Sequence, residues 1–427
     1  MGTSFESEES TRESPKTPNA LKELSGKDQE NAEENKNQLV LQLQGHFALL
    51  DSSNMIEESD CGIGLTTDFF SIDSSSGAHY EFTYRDTQTI EAKDYSVQIK
   101  LANSFVLRLN YLGEKYQDFL TNLHLLRNDQ LAQDLLILEG KASLALNGKI
   151  SINTVDNGTV KEGEIRVYKT RIALFPENFD PYCLRFSDIA NYKFEDYAAE
   201  FTSKNDSTKI RLSDLGEHFD QLQRYFTDAN AQLLQETNSL IREIYPTVSS
   251  MNLIRLSRML LDGIPAKFKD IESIEPQFLR AVELQVGEGK EDLLECLRHL
   301  YSIGDKQGAY VGAERLVTNY IYLMVPIGSK NAVALETNEE GRATYFFRSE
   351  SERRCEEIAN ALRDVNYRRE PIYLSEDELL KPRFAKYKFS IERIKTLAPL
   401  RKKFMGRAIH IDFDAWRTQV EGILKQS

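Results

Sequence analysis

The chain has 427 residues, of which 41% are hydrophobic and 28% charged, with a formal net charge of -14. This composition reads as soluble and globular, and the length allows two to four domains. The acidic balance argues against attraction of the whole protein to nucleic acid or to an anionic bilayer.

The first 38 residues are rich in Glu, Ser, Lys and Asn and nearly free of large apolar side chains. Such a segment cannot bury enough surface to offset its ordering entropy, so residues 1–38 are expected to form a disordered acidic tail. The start lacks the apolar core of a secretion signal, and Glu6 stands where a myristoylation start wants Ser or Thr. The longest apolar stretch, Tyr320 to Val325, is too short to span a bilayer.

From Leu39 onward the same design occurs twice. With a shift of 102, Tyr80, Asp86, Asp94 and Tyr95 fall on Tyr182, Asp188, Asp196 and Tyr197. With one more residue, expected in a hairpin loop, Leu112-Gly113-Glu114 falls on Leu215-Gly216-Glu217 and Tyr116 on Phe219. In the first copy, residues 39–139, period-two alternation marks strands through Tyr80-Phe82-Tyr84, Tyr95-Val97-Ile99-Leu101 and Phe105-Leu107-Leu109. Ala102-Asn103-Ser104 reads as the turn of the last hairpin. The spacing then turns helical at Tyr116, Phe119, Leu120, Leu123 and Leu126, predicting an amphipathic helix from Glu114 to about Leu138. The second copy, 140–245, restates the plan, with a turn at Lys204-Asn205-Asp206-Ser207 and a closing helix through Phe219, Leu222, Phe226, Ala229 and Leu233 to Ile244, stopped by Pro246.

Residues 246–310 read as a helical connector divided by Pro265 and Pro276. A C-terminal α+β unit, 311–427, follows. Its strands are expected at Tyr320–Pro326, Asn331–Thr337 and Ala343–Arg348, the last two joined by the turn Asn338-Glu339-Glu340-Gly341. A helix is expected to start at Ser349 with Glu352 as its capping-box partner, and a last helix to contain Trp416. Strand, strand, helix echoes the end of each repeat, which raises a degenerate third copy as an idea without residue-level alignment.

Strands closed at one end by a C-terminal helix resemble the pleckstrin-homology-like plan. The stretches FTYRDTQTIEAKDYSVQIKL to YLGEKYQDFLTNLHLLRN and LRFSDIANYKFEDY to DLGEHFDQLQRYF look like that family's second sheet with its closing helix. The resemblance covers roughly residues 39–245 in two copies, and extends to tandem pleckstrin-like bacterial chains of unassigned function. It implies an α+β fold of two tandem sandwich or barrel modules, and binding of lipid head groups, peptides or proteins in place of catalysis. The family's lipid-binding members carry Lys and Arg in the first hairpin loop. Here that region, LDSSNMIEESDCG, holds Glu57, Glu58 and Asp60 and no basic residue, so it would repel an anionic head group. The matching region of the second copy mixes Lys149, Lys161 and Lys169 with Asp156, Glu162 and Glu164.

Candidate chemistry is sparse. Asp86 with Asp94, and Asp188 with Asp196, would suit a cation or an acid–base pair, but closing turns at strand ends is the preferred reading. Six dispersed histidines show no ligand spacing; His410, Asp412 and Asp414 would share one face of a strand and form a conceivable metal half-site. Cys61, Cys183, Cys296 and Cys355 lie far apart, which points to reduced thiols and a cytoplasmic address. No phosphate-cradling loop and no nucleophile elbow are present. No cofactor and no metal are expected.

One charged anomaly stands out. Ten basic residues lie in 381–407 against the single acid Glu392, with Phe384, Tyr387, Phe389 and Phe404 interleaved. Lys386, Lys388, Arg393, Lys395, Arg401, Lys402, Lys403 and Arg407 are the candidate contacts to an anionic partner, weighed against a solvated face that balances neighbouring acids. The sequence therefore predicts a non-enzymatic interaction or scaffold protein with an unidentified protein partner. The alternative is peripheral binding to an anionic membrane or nucleic acid through 381–407. Oligomeric state is not encoded legibly.

Overall fold

The computed structural model describes residues 38–137, 139–153, 160–204, 207–287, 291–317, 320–337, 343–349, 351–365, 369–410 and 412–425. Apart from Gln38, the tail expected over 1–38 lies outside these residues, as do both inner residues of the turn at 204–207 and the turn at 338–341. The chain divides into two compact units. One takes the described residues up to Thr87 with Ala92–Leu126, and the other takes Gln88–Glu91 with Arg127 onward.

The first repeat forms seven antiparallel strands: β1 (Leu39–Asp51), β2 (Asn54–Thr66), β3 (Phe69–Ser74), β4 (His79–Thr83), β5 (Thr87–Lys93), β6 (Ser96–Leu101) and β7 (Phe105–Asn110). Helix α1 (Tyr116–Asp134) follows a single 3-10 turn, Gly113–Lys115, so it begins two residues later than the periodicity suggests and ends at Asp134. The strands of the second repeat are β8 (Leu144–Asn153), β9 (Val160–Val167), β10 (Arg171–Pro176), β11 (Tyr182–Arg185), β12 (Ile189–Glu195), β13 (Ala198–Ser203) and β14 (Lys209–Ser213), closed by α2 (Phe219–Ile244). The sheet orders are β4-β3-β2-β1-β7-β6-β5 and β11-β10-β9-β8-β14-β13-β12, the same order twice. Both sheets curl, and the arrangement is compatible with a tandem pleckstrin-like architecture.

Alternation explains these strands. Val97 pairs across from Leu109 and Ile99 from Leu107, and all four are fully buried on one face. Phe119 and Leu123 of α1 are fully buried, as is Leu222 of α2, and Phe226 is nearly so. One correction concerns LDSSNMIEESDCG. It is not a loop: Asn54–Cys61 belong to β2 and pair with β1, the reversal being confined to Ser52-Ser53. The pattern hides this because most of the hairpin's outer end is exposed on both faces, so no apolar alternation marks it.

The rest of the second unit is built on a third antiparallel sheet. Helices α3 (Ser250–Met259), α4 (Phe268–Ile274), α5 (Pro276–Gly287) and α6 (Glu291–Ile303) precede or flank β15 (Ala266–Lys267). Then come β16 (Tyr310–Glu314), β17 (Tyr320–Ile327), β18 (Asn331–Thr337), β19 (Ala343–Arg348) and α7 (Glu352–Asp364). Short helices α8 (Glu370–Tyr373), α9 (Glu376–Leu379), α10 (Ala385–Arg393) and α11 (Leu397–Lys403) lead to β20 (Phe404–Ile409) and α12 (Phe413–Lys425). Helix α7 is capped by Ser351, whose side chain accepts from Arg354 N–H; Ser349 stands outside the helix and bonds the Ser351 carbonyl instead.

This sheet runs sequentially, β15-β16-β17-β18-β19-β20. That order differs from the repeats, so it is not a third copy of them. Both of its faces are covered. Val311, Leu323, Val325, Val333, Leu335 and Phe346 pack with α3 to α6 and Trp416, while Tyr322, Met324, Ala332, Ala334 and Phe347 pack with α7 and the short helices. Burial on both sides is why these strands read as unbroken apolar runs. The helices of 246–310 therefore share one core with the strands that follow them.

Candidate functional site

In the second module β12 is an outer strand of its sheet, and most of it faces solvent. An outer strand carries backbone N–H and C=O groups with no neighbour on one side. A row of rings borders it. The Tyr192 ring lies 4.9 Å from that of Phe226 on α2, Phe194 lies 5.6 Å from Phe226 and 6.1 Å from Phe219, and Tyr197 lies 5.6 Å from Phe219. Tyr192 is 61% exposed and Tyr197 76%. An open edge beside partly exposed aromatic side chains offers both main-chain pairing and side-chain purchase to an extended segment.

The paired aspartates resolve into separate roles. Asp94-Tyr95 and Asp196-Tyr197 occupy the two central positions of the β5–β6 and β12–β13 turns, all four with φ between 51° and 61°. Asp tolerates the left-handed region through local hydrogen bonding, whereas Tyr is strained there. Asp86 and Asp188 lie in 3-10 turns before β5 and β12. Asp86 is held by the Thr83 hydroxyl at 2.7 Å, and Asp188 pairs with Arg363. The first two aspartates thus close turns, as the sequence suggests, but the ion pair at Asp188 has no sequence signal.

The shared strand face expected for His410, Asp412 and Asp414 does not form. The β19–β20 pairing ends at Ile409, and Asp412 Oδ1 accepts the Ala415 N–H at 2.7 Å at the start of α12. Helix start chemistry therefore replaces strand alternation; Ile411 lies outside the described residues. His410 Nε2 is 2.7 Å from the Thr344 hydroxyl, which also accepts from Trp416 Nε1 at 3.0 Å. Among the described residues, no group of three or more His, Cys, Asp or Glu would hold a metal ion.

The basic segment spreads over α10, α11 and β20. Arg393 Nη1 lies 2.8 Å from the fully buried Asp134 carboxylate. Arg401 donates to the carbonyls of Pro371 and Leu374 at 2.7 and 2.9 Å and pairs with Glu376 at 2.7 Å. Lys403 sits 3.7 Å from Glu357, and the Arg407 guanidinium lies 3.8 Å over the Tyr373 ring. Lys386, Lys388, Lys395 and Lys402 are exposed, with Lys386 over Tyr387.

Sequence reasoning missed a cleft of 240 Å³ in the second unit, where Arg171, Arg185, Arg393 and Lys395 meet Asp188 and Asp364. Arg185 is buried; its Nη1 lies 3.3 Å from Asp262 and its Nη2 donates to the Arg363 carbonyl at 2.6 Å. Ser187 donates to the same Asp262 carboxylate at 2.8 Å. Burial works against the Arg185 charge, but the carboxylates of Asp262, Asp364 and Asp188 outweigh it and hold the guanidinium firmly cationic. Arg171 is similarly matched by Glu139 at 2.8 Å. Each buried guanidinium has a carboxylate behind it, so the cleft is charge-compensated. These partners come from distant parts of the chain, and no spacing rule links them.

Neither a family model nor a curated protein matches this chain. Among solved structures, one similar to it is the C-terminal domain of an unknown protein from Leishmania infantum, 12% identical, covering 25% of this chain and 98% of that one, with a TM-score of 0.18. Another is the Spt16D Pob3N heterodimer, 16% identical, covering 39% of this chain and 85% of that one, with a TM-score of 0.17. TM-scores of this size carry no argument about function.

Proposed function

We propose that this protein is a non-enzymatic interaction protein that holds an extended segment of a protein partner against its second β module. The observation that carries the reading is the exposed β12 edge beside the aromatic row Tyr192, Phe194, Tyr197 and Phe219. Strand addition supplies main-chain affinity, and alternate side chains of the guest would lie along the rings. Duplication of the module adds avidity if both copies engage one partner.

The test is affinity capture with the intact chain and with Asn191→Pro and Tyr192→Asp variants. Both side chains are exposed, and a thermal melt of each variant checks that the fold is kept. Each variant is expected to lose the captured partner, because one blocks edge pairing and the other places charge among the rings. Undiminished capture by both would refute the edge as the binding place.

A further inference from the structure

The first module carries a second cleft, of 460 Å³, walled by Asp94, Tyr95, Tyr111 and Tyr116 with Asn110, Leu112 and Gly113. Two of its tyrosines are among the most exposed large side chains of the described residues: Tyr95 at 78% and Tyr111 at 83%. Both are held in left-handed backbone, at φ 61° and 56°. Bulky residues rarely adopt that conformation, and persistent strain concentrates at binding sites. The Tyr95 ring is 5.4 Å from Tyr116, and His46 meets the Tyr111 ring edge-on at 6.1 Å.

The second copy shows what this corner accommodates. The counterpart of Tyr111 is Asp214, and the counterpart of His46 is Lys149. There the Lys149 ammonium lies 2.5 Å from Asp214. In the first copy His46 stands in the place of Lys149 and Tyr111 in the place of Asp214. His46 is itself engaged by Asp60 at 3.0 Å and Glu58 at 3.4 Å, and Lys115 donates to the Gln42 carbonyl at 2.8 Å. Among the described residues, no Lys or Arg lines the cleft. Between Leu39 and Leu126, twelve carboxylates stand against five Lys and Arg.

We propose that this cleft takes the ammonium group of a lysine side chain from a partner protein, with Tyr95 and Tyr111 offering ring faces and Asp94 the counter-charge. Aromatic faces attract a cation through the ring quadrupole, and the carboxylate compensates its lost hydration. The biological use of the cleft rests on the interaction reading above, but the cleft itself is tested independently of β12.

The experiment titrates the full chain, labelled with ¹³C at its tyrosine rings, with N-acetyl-lysine methylamide and with its neutral isostere N-acetyl-norleucine methylamide. Lysine is expected to shift the Tyr95 and Tyr111 signals saturably, with norleucine about tenfold weaker. Tyr111→Asn and Asp94→Asn should each weaken lysine binding several-fold. Asn accepts positive φ, so neither change should disturb the turn. Equal response to both probes, or unaltered lysine binding in the two variants, would overturn the cationic cleft. That result would leave the β12 reading standing, since Asn191→Pro and Tyr192→Asp decide it separately.

Discussion

Arg369 and Glu336 form a bidentate pair inside the second unit. The guanidinium Nε lies 2.9 and 3.1 Å from the two carboxylate oxygens and Nη2 lies 2.6 Å from Oε1, while Nη1 donates to the Leu362 carbonyl at 2.8 Å. The side chains are 4% and 5% exposed. Removing one partner of such a pair strands a buried charge. Glu336→Leu is therefore expected to cost about 3–5 kcal/mol in denaturant unfolding. Combining it with Arg369→Met should restore much of that loss, because two apolar side chains need no counter-charge. An additive double variant would show that the two residues do not act as a pair.

Gly45 and Gly148 occupy equivalent places in the two modules. A Cβ at Gly45 would meet Leu112 Cδ2 at 2.8 Å and the Asn110 carbonyl oxygen at 3.1 Å; at Gly148 it would meet Leu215 Cδ2 at 2.9 Å and the Ser213 oxygen at 3.0 Å. In each module the strand passes close to the turn that starts the closing helix. The leucine tip is the end of a flexible side chain, whereas the backbone oxygen is fixed by the chain. Gly45→Ala and Gly148→Ala should each destabilise by about 1–3 kcal/mol. Gly422 in α12 has nothing near its Cβ position, so Gly422→Ala should stabilise by roughly 0.5–1 kcal/mol. Thermal melts of the three variants check the ordering. A neutral Gly45→Ala would refute the close-approach account.

How much of this was legible varies with the kind of force involved. The β6 and β7 strands were readable because Val97, Ile99, Leu107 and Leu109 bury one face and leave the other wet. Strands β18 and β19 are readable as apolar runs, but β15 falls inside the stretch that reads as a helical connector, β16 begins at that stretch's last residue with no strand expected there, and β20 lies at the end of the basic stretch, where Arg407 masks it. The turn aspartates at 94 and 196 gave a correct hint through repetition. Gly45 and Gly148 gave none, since a missing side chain shows its purpose only when the neighbour is known. The pairs Arg185–Asp262 and Arg363–Asp188 join residues 77 and 175 positions apart, beyond any local pattern. Of the proposed binding surfaces, Tyr95 and Tyr197 are legible as matched positions of the repeat, but repetition does not reveal that both side chains are mostly exposed.

His79 gives a pH prediction. Its Nδ1 lies 2.6 Å from Asp73 and its Nε2 3.3 Å from Glu81. The hydrogen bond to Asp73, joined by that to Glu81, raises its pKa above the ordinary 6.5. A group whose folded pKa is raised adds stability that is complete below the unfolded pKa and fades as pH climbs through the folded value. The contribution from His79 should thus be present at pH 6 and gone in mildly alkaline solution. Titration of the His79 ring proton by NMR is expected to give a midpoint above 6.5, and Asp73→Asn should bring it back toward 6.5. A midpoint unmoved by Asp73→Asn would remove the assigned cause.

The basic segment separates into cations used by the fold and cations facing water, and the two sets predict different losses. Arg401 donates to the Pro371 and Leu374 carbonyls and pairs with Glu376, so Arg401→Ala removes donors from buried acceptors and should lower stability by about 1–3 kcal/mol. Lys388, Lys395 and Lys402 are exposed, and reversing all three to Glu should change the melting temperature little. If residues 381–407 contact an anionic surface, the reversal should abolish co-sedimentation with phosphatidylserine vesicles at low salt, and added salt should do the same to the parent chain. Arg401→Ala would then keep vesicle binding while losing stability. Parent chain that fails to sediment at low salt would leave these three lysines as solvated charges in an acidic protein, with no anionic surface to assign them.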